Sequence, residues 1–92
     1  MAPDLTRHAQ ARMQQRGIAP EALERLLEFG REAFDHRGHA VVLYFDKKAR
    51  RRLSRAEPGR KDLERLARMY AVLLDAGAVI TVGHRSRRIA RP

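Results

Sequence analysis

Ala40-Val41-Val42-Leu43-Tyr44-Phe45 is an unbroken apolar run of strand length, rich in β-branched and aromatic residues. Side chains alternate across a strand, so both faces of this one are apolar. Such a strand belongs in the middle of a sheet, covered on both sides. Asp46 closes it. On its N-terminal side lie the turn candidate Arg37-Gly38-His39 and a short strand around Ala33 and Phe34. On its C-terminal side, Met69 to Leu74 and Ala78 to Gly83 read as two further strands. Asp75-Ala76-Gly77 joins them as a hairpin turn, where Gly77 is free to take positive φ. Strands joined by hairpins predict an antiparallel sheet.

Helical signals fill the rest of the chain. Leu5, Ala9 and Met13 recur every four residues and share one face, and Gly17 ends that helix. Pro20 suits the first turn of a second helix, with Glu21 and Glu24 near its positive end. Leu23, Leu26 and Leu27 form its apolar stripe, and Gly30 is the expected C-terminal cap. Between the second and third strands, residues 47–68 read as a basic helical insertion, broken at Glu57-Pro58-Gly59 and resumed through Leu63, Leu66 and Ala67 with Asp62 as a candidate cap. The insertion is longer than a hairpin connection needs, which suggests a recognition arm, a dimer contact or a seat for a partner. Residues 85–92 form a basic tail. The expected architecture is one α+β domain over residues 1–92, with an N-terminal αα-hairpin packed on a small antiparallel sheet.

The 92 residues carry 20 Lys and Arg against 11 Asp and Glu, a formal charge of +9. A field of that sign draws polyanions, so RNA or another nucleic acid is the first partner to consider and an acidic protein the second. With no cysteine, disulfides and Cys-ligated metals are excluded. Asp35, His36 and His39 read as a polar turn rather than a metal site, because their spacing matches no zinc pattern. No glycine-rich phosphate loop, dinucleotide fingerprint or serine-nucleophile motif is present, so no cofactor is expected. The apolar runs have strand length and the N-terminus lacks an apolar signal region, which predicts a cytoplasmic protein without a membrane partner.

Three segments carry the candidate chemistry. His8, Arg12 and Arg16 follow at steps of four, which shifts successive side chains by only about 40° around a helix. They form one stripe, which reads either as a phosphate-binding face or as a solvated face with Arg16 near the helix end. His84, Arg85, Arg87 and Arg88 follow the last strand. An imidazole titrates near neutral pH, so His84 suits general acid–base work on a ribose 2′-hydroxyl, and the arginines suit a pentacoordinate phosphate. The same residues also read as a frayed basic tail. Lys47, Lys48, Arg50, Arg51, Arg52 and Arg55 run without an acid, at the density of a nucleic-acid footprint. Tyr44 and Tyr70 read as core tyrosines.

His8-x-x-x-Arg12-Met13-x-x-Arg16-Gly17-Ile18, a second short helix, a strand pair and Ile80-Thr81-Val82-Gly83-His84-Arg85 together resemble the domain-of-unknown-function family 4258. The resemblance covers most of the chain. That family is similar to the RelE-like and BrnT-like toxins, small ribonucleases with helices packed on an antiparallel sheet. The resemblance implies a RelE-like fold, a metal-independent action on RNA and neutralisation by an acidic antitoxin protein. Of the motif residues it carries over His8, Arg12, Arg16, His84 and Arg85.

Three readings of function stay open. The first is a metal-independent endoribonuclease of toxin type, with His84 and His8 as acid–base partners, Arg85 at the reacting phosphate, and Arg12, Arg16, Arg87 and Arg88 holding phosphate. It requires the two histidines to share one pocket. The second is a binding module without catalysis, holding RNA, DNA or an acidic partner through the run from Lys47 to Arg55 and the tail. The third is an interaction subunit, for instance a homo-oligomer paired through a sheet edge.

Overall fold

The hydroxyl of Thr6 accepts the backbone N–H of Ala9 at 3.1 Å and so caps α1 (Arg7–Gln15). The computed structural model describes residues 5–34, 40–74 and 78–85. Ala9 and Met13 form the buried face of α1, and Gly17, at φ 63, turns the chain out of it. α2 (Pro20–Phe29) starts on its proline and buries Ala22, Leu23 and Leu26. Gly30 follows as expected, but its reason differs. Its φ of −68 suits any residue, whereas a Cβ there would collide with the Leu26 carbonyl oxygen.

The strands are β1 (Arg31–Phe34), β2 (Ala40–Tyr44), β3 (Met69–Leu74) and β4 (Val79–His84). They form one antiparallel sheet in the order β1-β2-β3-β4, so the apolar run does supply an internal strand. Leu43, Ala71 and Val82 stand in register across β2, β3 and β4 and face the helices. Tyr44, Tyr70 and Gly83 stand in register on the opposite face. Tyr44 is buried and Tyr70 half-buried. The turn candidates 37–39 and 75–77, the turn residues Asp35 and His36, and the tail from residue 86 with Arg87 and Arg88 lie outside the described residues.

The basic insertion is helical but is not an appended arm. Its helices, α3 (Lys47–Ala56) and α4 (Leu63–Ala67), bury Ala49, Leu53, Leu66 and Ala67. Asp46 does more than end a strand. Its Oδ1 accepts the N–H of Ala49 at 2.8 Å and caps α3. Asp62 occupies the N-cap position of α4, yet its carboxylate makes no cap bond and accepts from Arg60 instead. Arg60 also forks onto Glu21 of α2 at 2.7 and 2.8 Å, tying the α3–α4 connection to the helical hairpin. The hydrogen bonds from Arg60 hold the Glu21 and Asp62 carboxyls below the usual carboxylate range. Arg25 gathers Glu21, Glu24, Glu28 and Glu57 within 4 Å in the same network. These five acids therefore face Arg25 and Arg60, on a flank away from the cleft-lining cations of α3. Among the described residues no helix is long and apolar enough to cross a membrane.

Candidate functional site

At 100° per residue, the basic run on α3 divides into two stripes. Lys47, Arg50, Arg51 and Ser54 fall within an arc of about 100°, and all four line a cleft of about 580 Å³. Lys48, Arg52 and Arg55 fall on the next arc, outside that lining. There the Arg52 guanidinium lies 5.8 Å from the ring centre of Phe29. Ala49 and Leu53 complete the circle on the buried side.

The far wall of the cleft comes from α4, through Leu63, Glu64 and Ala67, and its floor from Tyr44, Phe45 and Leu53. Arg85 joins the lining from just beyond β4. Its Nη2 donates to the Phe45 carbonyl at 2.8 Å, and its guanidinium carbon sits 5.6 Å from the centre of the Tyr44 ring. Its backbone N–H donates to the Arg68 carbonyl at 2.8 Å. The fold thus unites Arg85 with half of the basic run. An apolar, aromatic floor rimmed by guanidiniums is suited to a base bearing a phosphate.

His84 is next to Arg85 but is absent from the cleft lining. It pairs with Met69 on the helix-covered face of the sheet, because alternate residues of a strand point to opposite faces. There it lines a notch of about 70 Å³ with Gly17, Ile18, Arg60 and Arg65. Burial first, and then the positive charges of Arg65, Arg68 and Arg16, push its pKa below the ordinary imidazole value. A neutral imidazole ringed by guanidiniums is competent to accept a proton near neutral pH. Sequence reasoning missed Arg65 and Arg68, which lie off the apolar stripe of a short helix and at its end. Among the described residues no cluster of three His, Asp or Glu side chains is placed to hold a metal.

The first helix and the last strand converge, as the two histidine motifs require. Thr6 N–H donates to the Val79 carbonyl at 3.1 Å, and Arg16 Nη1 to the Val82 carbonyl at 3.0 Å. These two contacts make α1 run alongside β4 in the same direction. His8 therefore sits at the Val79 end and His84 at the Arg16 end. The helix rises about 12 Å between residues 8 and 16. The shared pocket for two imidazoles is not formed. His8 and Arg12 lie on the exposed flank of α1, with Arg12 Nε 3.5 Å from His8 Nε2. Arg16 clamps the sheet edge through Nη1, and Arg65 Nη2 donates to its carbonyl at 2.8 Å.

The clamp explains Gly83. A Cβ there would overlap Arg16 Nη1 and would come within 3.2 Å of Tyr70 Cε1. Gly83→Ala is expected to lower stability by about 1–2 kcal/mol, the worth of a hydrogen bond from a charged donor, about 1.5–3 kcal/mol, less the gain of alanine over glycine in a strand. In an Arg16→Ala background the same change should cost almost nothing, since alanine is otherwise favoured over glycine inside a strand by about 0.5–1 kcal/mol. Urea unfolding of the four proteins measures this coupling, and an equal cost in both backgrounds would free Arg16 of the role.

The clamp joins Arg16-Gly17-Ile18 to Val82-Gly83-His84, so segments far apart in the chain form one structural unit. No curated protein and no solved structure matches the chain. One family model does, over residues 5–84, which includes both halves of that unit and the whole sheet. The chain belongs to the family described as Domain of unknown function (DUF4258).

Proposed function

We propose that this protein binds single-stranded RNA in the α3–α4 cleft, in the manner of a small RelE-like protein of the cytoplasm. The observation that carries the reading is the convergence of Lys47, Arg50, Arg51 and Arg85 around an apolar floor. Guanidiniums fork onto phosphate oxygens, and the floor receives a base that a duplex would keep stacked. Two helices packed on an antiparallel sheet support the RelE-like likeness, and the long helical connection between β2 and β3 departs from a compact RelE-like plan. An acidic antitoxin protein would compete for the same cations. The test is the affinity of a labelled single-stranded RNA over a series of salt concentrations. Each phosphate neutralised should contribute about −0.7 to the slope of log K against log salt. A slope near zero would remove the cleft from RNA binding.

A second reading, cleavage of the bound strand, is favoured by His84. The end of β4 presents Arg85 to the cleft and His84 to the other side, so a strand leaving the cleft passes the imidazole. Neutral His84 takes the 2′-hydroxyl proton, and the oxygen attacks the adjacent phosphorus. The bond to the 5′-oxygen breaks, water supplies the proton to that oxygen, and a cyclic phosphate end remains. Arg65 and Arg68 stabilise the added negative charge. His8 has no part in this step.

Cleavage should persist in EDTA and vanish in His84→Ala. The depressed pKa of His84 fixes the sign of the pH dependence. The base stays neutral above about 6.5 and protonates only at lower pH, so the acid limb of the rate profile should have its midpoint below 6.5. The same shift contributes stability that is present above about 6.5 and lost as pH falls toward the folded-state value. A rate midpoint above 6.5, or a fully active His84→Ala protein, would take His84 out of the reaction.

A further inference from the structure

The cleft is cationic, but two carboxylates line it, Asp46 and Glu64. Asp46 is committed to the fold. Its Oδ1 holds the N–H of Ala49 and its Oδ2 lies 3.2 Å from Arg31 Nη1. Glu64 is different. It makes no hydrogen bond or ion pair among the described residues, although Arg50 and Arg51 line the same cleft. It stands beside Leu63 and Ala67, across from the guanidiniums of α3. An acid in that position weakens phosphate binding; it is exposed in the first turn of α4, where a carboxylate is favoured, and both its oxygens are open to a ligand with donors.

A carboxylate accepts two parallel hydrogen bonds from a ligand that offers two neighbouring donors. Among the nucleobases only guanine does so, through N1–H and the N2 amino group on its Watson–Crick edge. Uracil offers one N–H between two carbonyls. Cytosine and adenine offer one amino group beside a ring nitrogen whose lone pair would face the carboxylate. Guanine O6, next to N1, is an acceptor and suits the guanidiniums opposite. The geometry points to Glu64 as the reader of an unpaired guanine base, seated against the half-buried Leu63 while Lys47, Arg50 and Arg51 hold its phosphate. This assignment rests on the RNA-binding reading of the cleft and adds a base preference to it.

The experiment compares short oligouridylates that carry G, A, C or U at one central position, measured by fluorescence anisotropy in EDTA. The G-containing strand should bind about tenfold more tightly than the all-U strand, within the range of one good bidentate contact. Glu64→Gln should reduce that preference to about twofold or less, while all-U affinity rises as the negative charge leaves the cleft. Circular dichroism confirms that the variant folds. Equal binding of the four strands, or a preference that survives in Glu64→Gln, overturns the guanine assignment and leaves the cleft reading standing. Absence of binding to every strand overturns the cleft reading and the assignment together.

Discussion

Leu53→Ala is expected to lower the unfolding free energy by about 2–5 kcal/mol, the range for truncating a buried leucine. Leu53 is fully buried, on the inward side of α3 beneath the cleft. A domain of this length has about 5–14 kcal/mol of stability in total, so the loss is a large share of it. Each kcal/mol moves the melting temperature of a small domain by about 4–8 °C, which puts the expected fall at roughly 10 °C or more. Thermal circular dichroism measures it. The size of the effect also separates two views of the basic segment. If residues 47–68 were an arm laid on a finished domain, the variant would lose less than about 1 kcal/mol, as surface substitutions do. A large loss shows that the helix carrying the cations is also part of the core, and that the cleft is held by packing.

Most of the fold was legible because period and punctuation agreed. Ala40 to Phe45 announced an internal strand, and Pro20, Leu23 and Leu26 announced a helix with its start and its buried face. The burial of α3 was not legible, since Ala49 and Leu53 are a thin apolar stripe among six cations and look like a solvated helix. Its cap was readable in principle, as an acid three residues before Ala49. The site was half legible. The motifs at the two ends of the chain do meet, but the sense in which α1 lies along β4 decides which residues touch. That sense is set by Leu5 and Thr6 bonding to Val79 at one end and by Arg16 at the other. Period and charge contain no record of it, so the separation of His8 from His84 is not readable from the sequence. Arg65 and Arg68 were hidden for the same reason, because their nearness to His84 exists only once β4 ends beside the junction of α4 and β3.

Replacing Lys47, Arg50 and Arg51 together by alanine should weaken single-stranded RNA binding by about 100-fold at low salt and make the slope of log K against log salt shallower by about 2, three contacts at roughly 0.7 each. Stability should move little, since all three side chains are exposed and alanine is the best helix former. The informative control is a second triple variant, Lys48→Ala with Arg52→Ala and Arg55→Ala. It removes the same three charges from the same helix and from the same formal total of +9. Its residues lie on the stripe outside the cleft. A diffuse positive field depends on net charge and distance and would penalise the two variants alike. Contacts to phosphate reach only a few ångströms and would penalise the first variant alone, apart from a small common loss of long-range attraction. A ratio of affinities between the two variants near one would reduce the cleft to part of a general cationic surface. A ratio of about 30 or more would place the RNA between α3 and α4, where Arg85 and Glu64 can reach it.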